Sequence, residues 1–274
     1  MKVLISADME GVSGVVHPTE TNPGGYDYDR SRRLLTGEVN AAVAGVLEAV
    51  PSAEVLVADA HGPFRNVLPE DLDRRARLVR GKPRPLGMLA GLDDHTDAVL
   101  FVGYHARAGA GPAVLAHTIG DAVLDVRVDG RPMGEIGLNA AMAAHHSAPV
   151  VLLSGDDAAC AEIHALVPGT TTVTVKHALG QAAAVALHPE EVCDQIHRAT
   201  AKAIRRADSV PLLSIPGPVR VEVDLYSPVT VDLAMLVPGV TRSAGRTVAF
   251  TAADMGEAYR LVQLLTQLAQ IRPA

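Results

Sequence analysis

The sequence contains no tryptophan, few aromatic residues and only two cysteines, and each shortage narrows the range of possible functions. Aromatic residues make up 3% of the 274 residues, so stacking platforms for nucleic-acid bases or sugars are scarce. Cys160 and Cys193 do not form a CxxC motif. This favours a pair of core thiols in a reducing, cytoplasmic location over a disulfide or a redox motif.

Long hydrophobic runs and clusters of basic residues are also missing. No segment approaches the roughly 18 apolar residues that span a bilayer. The short N-terminal apolar run meets Asp8 and Glu10 at once, so we expect neither a membrane segment nor a signal peptide. The net charge is −7 and no Lys/Arg run exceeds two residues, which argues against a nucleic-acid partner. With 48% hydrophobic and 20% charged residues, the chain is predicted to be globular.

Short apolar runs alternate with amphipathic segments along the chain, and this order predicts an α/β fold. The runs at 3–7, 54–59, 97–103 and 149–153 are almost continuously apolar, which is typical of parallel strands covered on both faces. We therefore expect a mixed, largely parallel sheet flanked by helices. Residues 1–185 are predicted to form the metal-binding catalytic portion, and residues 186–274 a smaller α+β portion.

Acidic and histidine residues stand where several predicted strands end. Asp8 and Glu10 follow the first strand, Asp59 and His61 end the second, and His105 follows the third. The carboxyl edge of an open α/β sheet is where ligands bind, and two close carboxylates repel each other unless a cation lies between them. Because imidazole joins carboxylate here, a zinc-like transition metal is favoured over magnesium or calcium.

Three further residues have two interpretations each on the sequence alone. His117 follows a glycine-rich loop and is either a general acid/base or a loop histidine. Glu135 is either a metal ligand or a carboxylate favoured by a helix N-terminus. Arg107 either binds a substrate carboxylate or forms a structural salt bridge. The sequence has no HExxH, GxSxG, Walker or dinucleotide-binding motif.

A family resemblance is carried by strings spread along the whole chain. They are SADMEGVSG (6–14), ADAH (58–61), GLDD (91–94), GYHAR (103–107), RPMGEIGLNA (131–140), SGDD (154–157), LVPG (236–239) and DMGEAY (254–259). Through them the chain resembles the D-aminopeptidases of peptidase family M55, which remove N-terminal D-residues, notably D-Ala, from short peptides. The resemblance implies two zinc ions per subunit and a homodecamer of two stacked pentameric rings that encloses a proteolytic chamber.

The resemblance also implies a role for each site residue. Asp8 is expected to bridge the two zinc ions, and the catalytic histidine is expected to be His117. The remaining zinc ligands are expected to be Glu10, His61, His105 and Glu135. Hydrolysis would then use a hydroxide shared by the two metals.

Other functions remain compatible with the same site. A two-metal amidase or deacylase acting on a small biosynthetic intermediate is the main alternative. A two-metal phosphoesterase and a non-catalytic metal-binding or ring-scaffold protein are also possible. The scaffold would tolerate loss of His117, whose presence favours an enzyme.

Overall fold

Twelve strands and six α-helices are distributed over residues 1–271, the part of the chain that the structure, a computed structural model, describes. The strands are β1 (Lys2–Ala7), β2 (Glu54–Asp59), β3 (Ala76–Val79), β4 (Ala98–Tyr104), β5 (Val123–Val128), β6 (Arg131–Pro132), β7 (Val150–Asp156), β8 (Thr171–Gly180), β9 (Ala183–Ala186), β10 (Val219–Leu225), β11 (Thr241–Ala244) and β12 (Thr247–Ala252). The helices are α1 (Tyr28–Ala49), α2 (Glu135–His145), α3 (Asp157–Leu166), α4 (Pro189–Ile204), α5 (Pro228–Ala234) and α6 (Met255–Ala269).

A seven-stranded sheet forms the centre of the molecule, in the order β3-β2-β1-β4-β7-β8-β9. All neighbouring pairs are parallel except β8 and β9, which pair antiparallel. Side chains of β1 alternate between two cores: Leu4 packs with one cluster, and Val3 and Ile5 pack with the other. Covering both faces explains why the central strands are continuously apolar, and the predicted fold class is confirmed.

Helices α1 and α4 contribute to the core on one face of this sheet. Helices α2 and α6 contribute to the core on the other face, together with a second, antiparallel sheet of order β11-β12-β10-β5-β6. Residues of β10 alternate between buried and exposed or half-buried positions, as expected for a sheet with one face on the core. This second sheet combines strands from both sides of residue 185, since β5 and β6 precede it and β10–β12 follow it. The domain boundary near residue 185 stays a prediction.

The predicted segments differ from the observed ones mainly at their ends. The strand expected at 170–175 continues to Gly180, and the chain then turns back as β9. The sequence did not predict this extension, because the Ala- and Gly-rich residues there carry little strand signal. Strand β3 and helix α5 have too few residues to show a periodic pattern. No helix in residues 1–271 has both the length and the hydropathy that a bilayer crossing requires.

Candidate metal centre

Three adjacent parallel strands deliver the candidate ligands to one edge of the central sheet. Strand β1 lies between β2 and β4. The chain continues from β1 into Asp8, and beyond the ends of β2 and β4 it reaches His61 and His105. Parallel strands end at the same edge, so their following residues lie close together. The convergence expected from the sequence is therefore present.

Two glycines allow the loop after β1 to cross the end of β4 at close range. The Gly11 amide donates to the Gly103 carbonyl at 2.8 Å. A Cβ atom on Gly11 would lie 1.9 Å from the Tyr104 carbonyl oxygen, which is impossible without displacement. Gly103 itself has φ +70°, a backbone region that favours glycine. Both glycines are thus required to bring Asp8 and Glu10 beside β4.

Asp8 stands between two histidines, with one carboxylate oxygen toward each. Its Oδ1 lies 3.3 Å from His61 Nδ1, and its Oδ2 lies 3.5 Å from His105 Nε2. Glu10 Oε2 lies 2.9 Å from the same His61 nitrogen. Asp8 therefore connects two groups of potential ligands, one around His61 and one around His105.

Glu135 and His117 extend the cluster on the His105 side. Glu135 is the first residue of α2, and its Oε1 lies 3.5 Å from His105 Nε2 and 3.7 Å from His117 Nε2. The rings of His105 and His117 stack with centroids 4.2 Å apart. The Ile119 amide donates to the same Glu135 oxygen at 2.5 Å, which fixes the segment after His117 to the helix start.

Backbone carbonyls orient the three imidazole rings. His61 Nε2 lies 2.8 Å from the Thr21 carbonyl oxygen. His105 Nδ1 lies 3.0 Å from the Ala106 carbonyl oxygen, and His117 Nδ1 lies 2.9 Å from that of Leu115. A ring nitrogen that faces a carbonyl carries a proton, so the opposite nitrogen is the one that would offer its lone pair to a metal once its own proton is released. Metal-binding histidines in proteins are held in this way.

Burial makes the cluster electrostatically demanding. Asp8, Glu10, His61, His105 and Glu135 are all buried. Burial, followed by repulsion from Glu10, raises the pKa of Asp8 to about 7. Burial alone would raise the pKa of Glu10 as well, but the charge of His61 outweighs it and holds that pKa well below its usual range. Three buried carboxylates around the same histidines are stable only with compensating positive charge.

The donor atoms fit a transition metal. Within residues 1–271, the buried Oδ2 of Asp8 has no hydrogen-bond partner, a costly state that a cation would relieve. Ligand atoms of Asp8, Glu10 and His105 lie within 4.8 Å of one another, and so do those of His105, His117 and Glu135. Mixed carboxylate and imidazole donors suit zinc. His61 lies outside both groups and His117 inside one, and which of these two is a ligand stays a prediction.

A cavity of about 610 Å³ opens over the cluster, within the size range of small-molecule sites. Its floor includes Asp8, Glu10, His61, His117 and Glu135. One wall comes from the segment 82–88, and another from α6. The wall residues of α6 and its C-terminal end are Tyr259, Val262, Gln263, Thr266, Gln267 and Gln270. The sequence gives no indication of these walls, because they come together only through the tertiary fold.

The structure gives Asp59 and Arg107 local contacts. The carboxylate of Asp59 accepts hydrogen bonds from the amides of Asn66 and Val67 and from the Asn66 side chain, so it shapes the loop after His61. Arg107 does not line the cavity, and its Nη1 donates to the Ala108 carbonyl at 3.0 Å. A direct substrate contact of Arg107 is therefore not supported.

Sequence reasoning missed Lys176, which supports the ligand loop from below. This fully buried lysine on β8 donates to the carbonyls of Glu10, Val12 and Val15 at 2.6, 2.9 and 2.5 Å. The loop is held from α1 as well, because Glu38 Oε1 accepts from the Ser13 amide at 2.8 Å. The sequence carries no signal of this burial, because Lys176 shares the polar phase of the strand with Thr172 and Thr174.

Comparisons with known proteins agree over the full chain. The family model described as D-aminopeptidase, Peptidase M55, matches residues 1–264. A D-aminopeptidase from Bacillus subtilis (strain 168) is 36% identical over 270 residues, which cover 98% of each chain. The solved structure of the Zn-dependent D-aminopeptidase DppA from Bacillus subtilis, described as a self-compartmentalizing protease, matches with a TM-score of 0.96 at 35% identity and covers 100% of each chain.

Proposed function

The chain belongs to the D-aminopeptidase family, peptidase family M55, and from this membership we propose that it is a zinc-dependent D-aminopeptidase. It releases N-terminal D-residues of the D-Ala type from short peptides. The observation that carries the proposal is the buried cluster of Asp8, Glu10, His61, His105 and Glu135, of which all but His105 line the floor of a cavity. Zinc-dependence and D-aminopeptidase activity are the described properties of relatives that match this chain from end to end.

The cluster is proposed to hold two zinc ions, bridged by Asp8. The support is that the two oxygens of Asp8 face different histidines, His61 and His105. Glu10 and His61 would then help to hold one ion, and His105 and Glu135 the other. Bound zinc would supply a Lewis acid and lower the pKa of a coordinated water toward about 7.

His117 is proposed to be the catalytic histidine. Its Nε2 faces Glu135 and the cavity, its Nδ1 is held by the Leu115 carbonyl, and its side chain is 24% exposed. From this position Nε2 can donate a proton to the leaving amine or stabilise the negative charge of the tetrahedral state. The carboxylates of Asp8, Glu10 and Glu135 line this end of the cavity, where the substrate's free α-amine would bind.

We propose that the protein assembles as a homodecamer of two stacked pentameric rings. The support is the description of the solved relative as self-compartmentalizing and a group of exposed apolar side chains around α5. These are Tyr226, Val229, Met235 and Leu236. A mass measurement in solution should give ten chains of 28.6 kDa, and a monomer would contradict the assembly.

The free thiols of Cys160 and Cys193 support the predicted cytoplasmic location.

The activity is tested by incubating the zinc-loaded protein with matched D-Ala and L-Ala p-nitroanilides and with D-Ala-D-Ala, each with and without a chelator. Release from the D-substrates alone, abolished by the chelator, is the expected result. Zinc-loaded protein that cleaves none of them but hydrolyses N-blocked amides would contradict the aminopeptidase and favour the two-metal amidase.

A further inference from the structure

The cavity carries opposite charges on its floor and on one wall. The floor holds the carboxylates of Asp8, Glu10 and Glu135, whereas the wall formed by residues 82–88 contributes Lys82 and Arg84. The floor carboxylates are engaged as proposed metal ligands, so Lys82 and Arg84 are the cations that the cavity offers to an anionic part of a ligand.

Arg84 is held by the protein itself and serves as part of the wall. Its Nε donates to the Gly87 carbonyl at 2.9 Å, its Nη1 to the Val79 carbonyl at 3.1 Å, and its Nη2 to the Asp59 carbonyl. Its guanidinium carbon also lies 4.2 Å from the centre of the Phe64 ring. These contacts make Arg84 a rigid element of the wall.

Lys82, in contrast, keeps its charge available. Its Nζ lies over the same Phe64 ring, 5.6 Å from the centroid, and among residues 1–271 it takes part in no salt bridge or hydrogen bond. An exposed ammonium beside an aromatic face is weakly held, since such a contact is worth only about 0.5–1 kcal/mol. The Lys82 side chain is thus a free cation at the edge of the cavity.

Phe64 links this cation to the metal centre. It adopts φ +57°, a backbone conformation rare for a bulky residue, and such outliers gather at functional sites. Its amide donates to the His61 carbonyl at 2.8 Å, and its carbonyl accepts from the Gly81 amide at 2.6 Å. The Phe64 backbone therefore joins the loop after His61 to the segment that carries Lys82.

We propose that Lys82 binds the C-terminal carboxylate of the substrate, so that the enzyme selects short peptides with a free C-terminus. This rests on the proposed D-aminopeptidase function, in which the N-terminal end of the substrate is bound at the metal centre on the floor. A short peptide bound in this way carries its carboxylate at the other end, and Lys82 is a free cation in the cavity lining that can pair with it. Chain length and a free carboxylate would then be selected together.

The test compares D-Ala-D-Ala with its C-terminal amide on the zinc-loaded wild type, Lys82→Met and Arg80→Met. Arg80 is an exposed cation two residues away and outside the cavity lining, which makes it the matched control. The ratio of kcat/KM for acid over amide should fall about 10-fold in Lys82→Met, mostly through KM, as expected for one charge-assisted contact. Arg80→Met should keep the wild-type ratio.

Two results would overturn the role of Lys82: an unchanged ratio in Lys82→Met, or an equal fall of that ratio in Arg80→Met. If the wild type cleaves neither peptide, the proposed hydrolysis fails on its own. Calorimetric dissociation constants of the acid and the amide then decide the carboxylate site separately. Tighter binding of the acid by the wild type but not by Lys82→Met would support the site, and equal binding of the two peptides would refute it.

Discussion

The substitution Lys176→Met tests whether the ligand loop depends on the buried lysine beneath it. Lys176 Nζ donates to three backbone carbonyls of this loop, including that of Glu10. Methionine has nearly the same length and no donor, so it leaves these carbonyls buried and unpaired. The substitution also removes a positive charge that acts on Glu38. Burial raises the pKa of the Glu38 carboxyl to about 7, and the charge of Lys176 opposes this rise.

The magnitude follows from the number of lost contacts. A buried acceptor that loses its partner costs about 1–3 kcal/mol, so three such carbonyls cost about 3–9 kcal/mol. Methionine also removes the desolvation cost of the buried ammonium, which offsets part of this loss, and we expect a net decrease of about 3–5 kcal/mol in the free energy of unfolding. At roughly 2–4 °C per kcal/mol for chains of this size, Tm should fall by about 10 °C.

The assay is thermal unfolding of the zinc-free protein at a fixed concentration, followed by zinc titration against a chromophoric chelator. Lys202→Met is the matched control, since Lys202 is exposed on α4 and its loss should change stability by less than about 0.5 kcal/mol. Zinc affinity of Lys176→Met should fall about 10- to 100-fold, as when outer partners of metal ligands are removed. Wild-type Tm and zinc affinity in Lys176→Met would refute this reasoning.

Three further substitutions test separate parts of the molecule. His117→Ala should keep its zinc and lose turnover by about 10²–10⁴, and wild-type turnover would remove His117 from the chemistry. Gly11→Ala should lower both zinc content and Tm, because its Cβ would lie 1.9 Å from the Tyr104 oxygen; full zinc content would contradict the close crossing. A hydrogen bond from Arg127 lowers the pKa of Asp224. The ion pair of these two residues therefore stabilises the fold at neutral pH, and this stabilisation is lost as pH falls through the lowered pKa of Asp224. Asp224→Asn should therefore cost less than about 1 kcal/mol at pH 7 and nothing in strong acid, whereas denaturant unfolding that shows a pH-independent difference would be inconsistent with the ion pair.

The central sheet could be predicted because its strands are buried on both faces. Continuous apolar runs such as those of β1 and β4 identify strands without tertiary information. The residues that follow them then identify the edge where Asp8, His61 and His105 converge. The positions of His117 and Glu135 could be expected from the family resemblance, and the structure places both beside His105.

The surroundings of the site could not be predicted, because they depend on contacts between distant segments. Lys176 is 166 residues from Glu10, whose carbonyl it binds. The α6 wall of the cavity shows only an ordinary apolar stripe in the sequence. Arg107 was a candidate for substrate binding because it follows His105 by two residues, but the chain turns there and its side chain returns to the Ala108 carbonyl.

The most direct test of a two-zinc centre is anomalous X-ray scattering at the zinc edge from crystals of the zinc-loaded protein. Two peaks are predicted in each subunit, on either side of the Asp8 carboxylate and within reach of Glu10, His61, His105 and Glu135. A single peak, or peaks away from Asp8, would contradict the proposed bridging role and the mechanism built on it.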